Sequence, residues 1–360
     1  MSHRGKIVQL PPNRVWRTYD GGRCLDELAG IAPAADGPMP EDWVASTTRA
    51  TNPGRETMNE GPSHVVIAGE TLPLLELLEN DPDYFLGASH LKRFGTDPRM
   101  LVKLLDPSIR LHLQVHPTAD FAQRHLQAAS GKTEAYHILS VRPETADPAI
   151  YLGFHTPPKK SVLKDWIETQ NIPELLAAMN RVPVKSGDTL LVPGGVPHAL
   201  GEGLLLVEIQ EPSDLVVRFE FSRGGRILPE SARFMGRSLD FCLEIFDLSA
   251  WTPERVQREA CCRPVFRREI GPGSRQNDLI GPTQTPCFNV RQSRLTQPCV
   301  KNERSLHLLF VTAGSCVLEA GGERLSLQFG QKVLLPSGLG PVAFTPTPTC
   351  TLLECHPPHP

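Results

Sequence analysis

The sequence predicts a mainly β protein of two small jelly-roll-like barrels with a helical insertion, and three observations carry that expectation. Turn formers are abundant, with 35 prolines and 29 glycines among 360 residues, which suits many short strands rather than a helix bundle. Apolar runs of strand length recur between these turns, some alternating with a period of two. Finally, Gly187–Gly195 (GDTLLVPGG) is matched in outline by Gly330–Gly338 (GQKVLLPSG). Each copy is a glycine, five residues, a proline, any residue and a glycine. A glycine opening, a short strand and a Pro-x-Gly turn is what a barrel needs to reverse direction at its rim, and two copies suggest two barrels.

Taken in order, residues 1–70 read as irregular, rich in proline and glycine and poor in clean periods. Leu72–Leu86 begins with helical apolar spacing and is interrupted at Pro82. Met100–His116 reads as two strands around an Asp-Pro turn, the second alternating at Leu111, Leu113 and Val115. Strands follow at Ala135–Val141 and Ala149–Phe154, and then a helical stretch at Lys159–Asn180, broken near Pro173. Strand character returns at Thr189–Val192, Gly203–Gln210 and Leu215–Phe221, while residues 223–300 read as mixed and turn-rich. The expected domains are a first barrel from 1–156 with 184–222, a helical insertion at 157–183, and a linker with a second barrel over 223–360.

Composition narrows the function. Hydrophobic residues make up 40% and charged residues 21%, an ordinary balance for a folded soluble chain. A formal net charge of -3 points away from nucleic acid and anionic membranes as partners. No apolar run approaches the ~20 residues of a membrane span, and the start, MSHRGK, leads into no apolar signal core. Nine scattered cysteines without a Cys-x-x-Cys read as the thiols of a reduced, cytoplasmic protein. Oligomeric state leaves no mark on the sequence.

The chemistry gathers in the first barrel. Gln114 and His116 are two apart on an expected strand, so both side chains face one side while Leu113 and Val115 face the other. Glu134 closes the polar turn Gly131-Lys132-Thr133-Glu134 at the start of the next strand. The first copy of the repeat runs on to His198, whereas the matching position of the second copy is Pro341. Singly, each feature is ordinary: Gln-x-His is a polar strand face, and Pro-x-Gly-x-x-His a turn with an incidental histidine. Together, two imidazoles, a carboxylate and an amide oxygen suit a borderline divalent ion such as zinc and leave positions open for a substrate. His112 alternates with Gln114 and is the one further candidate for that face.

These residues carry a resemblance. LVKLLDPSIRLHLQVHP, GKTEAYHIL and VKSGDTLLVPGGVPHALGEGLLLVEIQEPSD are similar to the type I phosphomannose isomerase family, zinc-containing proteins of the cupin superfamily. The likeness runs from about Leu72 to Arg218, resumes weakly from Leu306, and touches Glu41-Asp42-Trp43-Val44-Ala45-Ser46. It implies one zinc per chain on Gln114, His116, Glu134 and His198. It also implies catalytic roles for Lys132 and for Asp214 and Arg218 of the segment Ser213–Arg218. The implied reaction interconverts mannose 6-phosphate and fructose 6-phosphate through an enediol. Arg218 would hold oxyanion charge, Lys132 would shuttle a proton or assist ring opening, and Asp214 would orient Arg218 or the lysine; which group is the base stays open. Without the resemblance, Asp214 and Arg218 are an ordinary strand-end ion pair. The chain departs from the family in Phe219-Glu220-Phe221 after the arginine and in Val15–Gly22 near the N-terminus. No phosphate loop is present; Lys103, Lys159 and Lys160 are candidate anchors, though they read first as surface lysines. An iron-dependent cupin oxygenase and a non-catalytic sugar-phosphate sensor are the rival functions.

Overall fold

The structure, a computed structural model, describes residues 3–359. Its N-terminal unit is two facing antiparallel sheets. One has seven strands in the order Cys261–Cys262, Thr189–Val192, Glu134–Val141, Leu204–Gln210, Leu101–Leu105, Glu41–Val44 and Arg14–Val15. The other has five: Met179–Pro183, Ala149–Phe154, His198–Leu200, Gln114–Val115 and Val217–Arg218.

Strand periodicity explains how they pack. In Glu134–Val141, Tyr136 and Ile138 point inward and join Ile150, Leu152 and Leu200 of the opposite sheet in one buried cluster. Glu134 shares their face by the period of two. Ala135 and Leu139, on the other face, pack with Leu308, Phe310, Leu334 and Leu353 of the C-terminal unit. Burial on both faces gives this strand its nearly continuous apolar sequence.

The C-terminal unit is built on one eleven-stranded antiparallel sheet whose longest strands, His307–Ala320 and Val342–His356, pair with each other along most of their length. A core of its own includes Leu309, Val311, Leu318, Phe344 and Leu352. The two copies of the repeat occupy equivalent places. Thr189–Val192 pairs with the strand that starts at Glu134, and Lys332–Leu335 with the strand that starts at His307. Their opening glycines, Gly187 and Gly330, have φ of 89° and 80°, a region that a side chain would strain.

Two expectations change. Residues 1–70 hold short strands, and three segments of the N-terminal third join the C-terminal sheet. Val8 pairs with Leu334, Gln9 lies against both Val333 and Val66, and His64–Ile67 forms a hairpin with Glu70–Pro73. The expected division at residue 223 is therefore crossed by strand pairing, which separations of over 300 residues hide from local patterns. Residues 223–300 also contain three long strands, Val265–Gly271, Ser274–Ile280 and Asn289–Leu295. The first is mostly exposed, and the other two bury Gln276, Arg291 and Ser293, so no apolar alternation announces them.

The helical stretch divides into Lys160–Glu168 and Ile172–Ala178. Leu163, Ile167 and Leu175 are buried with Val115, Phe154, Ala199 and Val217, so the helices cover the outer face of the five-stranded sheet. Two of the expected strands near the site are shorter than predicted, pairing as strands over Gln114–Val115 and Val217–Arg218.

Candidate metal centre

Four strands bring the polar side chains together. Glu134 opens its strand in the seven-stranded sheet; across the interior, His198 pairs with Gln114, and Gln114 with Arg218. His116 follows Gln114 by two residues and so faces the same way. The ligand atoms of His116, Glu134 and His198 all lie within 4.8 Å of one another, and all three residues are buried. His198 Nε2 is 3.0 Å from Glu134 Oε1, and His116 Nε2 is 3.4 Å from Glu134 Oε2.

Both imidazoles are aimed by their other nitrogen. His116 Nδ1 is 2.8 Å from the Leu215 carbonyl oxygen, and His198 Nδ1 is 2.8 Å from that of Val196. A carbonyl only accepts, so each Nδ1 carries the proton and each Nε2 presents a lone pair to the cluster. Gln114 completes the set, its side-chain amide 3.2 Å from His198 Nε2; turning the amide over presents Oε1 instead. Tyr136, two residues beyond Glu134 on the same face, donates its hydroxyl to Glu134 Oε1. Glu134 Oε2 is ion-paired with Lys132 Nζ at 3.1 Å. A fully buried carboxylate with an imidazole nitrogen facing each of its oxygens is a donor arrangement that a divalent cation satisfies.

Electrostatics agree. Burial would raise the Glu134 carboxyl, but Lys132 and His116 hold it well below the usual carboxylate range. Burial, followed by the charge of Lys132, pushes His116 down to about 3. Neutral imidazoles and an ionised carboxylate are the states that bind metal. Lys132 Nζ stands 3.1 Å from both Glu134 Oε2 and His116 Nε2.

The other expected residues sit around this cluster. Arg218 is half-buried and donates one hydrogen bond to the Ala232 carbonyl; burial and then the charge of Arg17 lower it to about 10. Asp214 binds elsewhere than expected. Arg17 grips both its oxygens at 3.0 and 3.1 Å, and Thr51 donates its backbone N–H. Among the described residues it accepts no hydrogen bond from Arg218 or Lys132. Despite burial, Arg17 holds Asp214 far below the usual carboxylate range. His112 stays outside the cluster, with Nδ1 3.0 Å from the Glu220 carbonyl.

Lys103 is no surface lysine. It is fully buried, 2.9 Å from Glu208 and 3.9 Å from Glu41. Lys160 is exposed and pairs with Glu244 on the helical side. Sequence reasoning missed Arg17 and Tyr136. The period of two from Glu134 would have found Tyr136, but nothing local marks Arg17, whose partner lies nearly 200 residues away.

The fold and this cluster define a cupin-type protein with a candidate mononuclear metal centre. No family profile matches the chain. A probable mannose-6-phosphate isomerase of Bacillus subtilis, GmuF, is 28% identical over 363 residues, covering 99% of this chain and 100% of its own. The mannose-6-phosphate isomerase ManA of the same organism is 30% identical over 245 residues, covering 67% and 70% of the two chains. Among solved structures, the mannose 6-phosphate isomerase from Bacillus subtilis superposes with a TM-score of 0.75 at 22% identity, over 98% of this chain and 100% of that one. A mannose 6-phosphate isomerase bound with zinc and yttrium gives 0.69 at 18% identity, over 97% and 99%. The chain belongs to the mannose-6-phosphate isomerase family, and is an aldose–ketose isomerase.

Proposed function

We propose that this protein interconverts mannose 6-phosphate and fructose 6-phosphate, with one zinc ion held by Gln114, His116, Glu134 and His198. The observation that carries the reading is the buried Glu134 carboxylate, with His116 Nε2 3.4 Å from one oxygen and His198 Nε2 3.0 Å from the other. Zinc bound there would supply Lewis acidity toward a sugar oxygen.

The isomerisation moves one proton from C2 of the aldose to C1 and one from O2 to O1, so it balances without a co-reactant. Lys132, beside the ligands, is placed to carry a proton between oxygens or to assist ring opening. Arg218, whose guanidinium spends one donor on the Ala232 carbonyl, would hold charge that develops on the enediolate oxygens. Asp214 acts as a positioning residue, tying Arg17 and Thr51 to the rim of the site.

The changed segment after Arg218 gives little support to a non-catalytic sensor. Phe219 is buried, and Glu220 receives two 2.7 Å hydrogen bonds from Arg110, so the alteration serves packing. An iron oxygenase would use the same histidines and carboxylate but has no use for Lys132 and Arg218 beside them. All nine cysteines are free, and among the described residues no helix is long and apolar enough to cross a membrane; both fit a cytoplasmic enzyme.

A coupled assay of zinc-loaded protein with mannose 6-phosphate, beside a chelated control, tests the proposal. It predicts chelator-sensitive formation of fructose 6-phosphate. Oxygen uptake by an iron-loaded sample without isomerisation would overturn it.

A further inference from the structure

Among the described residues four arginines are buried: Arg17, Arg110, Arg142 and Arg291. Three meet carboxylates closely. Arg17 binds Asp214 at 3.0 and 3.1 Å, Arg110 binds Glu220 at 2.7 Å twice, and Arg142 binds Asp36 at 2.7 and 2.8 Å. Arg291 is the exception. Its contacts are long: 3.4 Å to Glu303, 3.5 Å to Asp278 and 3.4 Å to His356 Nε2. Among the described residues its Nε donates no hydrogen bond although the atom is buried, and its side-chain hydrogen bonds use Nη1 alone. A guanidinium taken out of water at 5% exposure needs aligned acceptors to offset its lost hydration. The protein supplies them poorly here.

Arg291 lines a cleft of about 330 Å³ that lies between the C-terminal sheet and the helix Ala88–Phe94. Arg304, Ser305 and His356 stand on the sheet side, and Ser89 and Ser337 complete the polar wall. No carboxylate lines the cleft, and no residue of the metal centre does. Two guanidinium groups and three hydroxyls facing one space match the acceptor-rich, divergent oxygens of a phosphoryl group, which arginine binds in a bidentate fork. The volume is that of a small-molecule site and exceeds what a lone anion fills.

We propose that this cleft is a second ligand site, in which Arg291 and Arg304 bind a small phosphate-bearing molecule away from the metal centre. The ligand would bridge the N-terminal helices and the C-terminal sheet.

The test is calorimetric titration of the full, zinc-loaded chain with inorganic phosphate and, separately, with glucose 6-phosphate, at fixed ionic strength. Wild type is compared with Arg304→Glu and Arg291→Gln. The proposal predicts a binding component weakened more than tenfold in both variants, while Arg304→Glu keeps wild-type kcat and KM in phosphate-free buffer. Arg304 is exposed, so its variant decides the matter should Arg291→Gln fail to fold. Tighter binding of glucose 6-phosphate than of phosphate names a sugar phosphate as the occupant; the reverse names the free ion. Isotherms that Arg304→Glu leaves unchanged for both ligands overturn the site.

Discussion

Each half of the molecule buries a glutamate with two histidines and a lysine. In the N-terminal unit Glu134 lies beside His116, His198 and Lys132. In the C-terminal unit Glu354 lies beside His356 and Lys301, with His307 next to them. The two sets differ in how the polar atoms are spent. Glu354 accepts hydrogen bonds from Ser293 and Gln276 and an ion pair from Lys301. His307 and His356 stack on each other, with ring centroids 4.7 Å apart and planes 14° from parallel. The rings of His116 and His198 are instead tilted by 51° and turn their lone pairs toward Glu134. Register sharpens the contrast. Glu134 pairs with Val192, and the equivalent Leu335 pairs with His307, so the second unit has a histidine in the place of the first unit's carboxylate. The same residue types thus make a converging donor set in one unit and a self-satisfied network in the other.

The contrast is easiest to break at the two glutamates. Glu134→Ala is expected to lose bound zinc and to lower turnover by roughly 10³-fold or more. Glu354→Ala is expected to keep zinc, while leaving Lys301 buried and unpaired at a cost of about 3–5 kcal/mol in denaturant unfolding. Next in size is Arg218→Ala, which should keep zinc and drop kcat by roughly 10²–10³; metal analysis beside steady-state kinetics separates it from Glu134→Ala.

Much of this was legible in the sequence, and what was not has physical causes. Gln114, His116, Glu134 and His198 sit on strands or strand ends whose period and turn chemistry can be read locally, and they do meet. The helices at Leu74–Leu86 and Lys160–Ala178 were visible for the same reason. The role of Asp214 was not, because its partner Arg17 is remote and only tertiary folding selects it. The strands Ser274–Ile280 and Asn289–Leu295 were hidden because their inner face serves the polar network around Glu354 rather than an apolar core.

Two smaller effects sharpen the comparison. Asp214→Asn should remove one of the two buried carboxylates that meet Arg17, leaving Glu41 at 3.1 Å, and cost about 1.5–3 kcal/mol, with zinc content unchanged, since Asp214 touches no expected ligand. Acid sensitivity should be shared between the units. Burial pushes His137 down to about 4 and His356 well below its usual value. For His137 the folded pKa lies below the unfolded value of about 6.5, so the unfolded chain binds the proton first. Stability is therefore full above pH 6.5 and falls as pH drops toward 4, by at most ~1.4 kcal/mol per pH unit for this group. His137→Gln should flatten that slope in urea titrations at pH 6.5, 5.5 and 4.5.

The central claim, that one unit binds metal and the other satisfies itself, is tested most directly by elemental analysis of purified wild type, Glu134→Ala and Glu354→Ala. The account predicts one zinc per chain in wild type, none in Glu134→Ala and one in Glu354→Ala. Zinc retained by Glu134→Ala and lost from Glu354→Ala would contradict it.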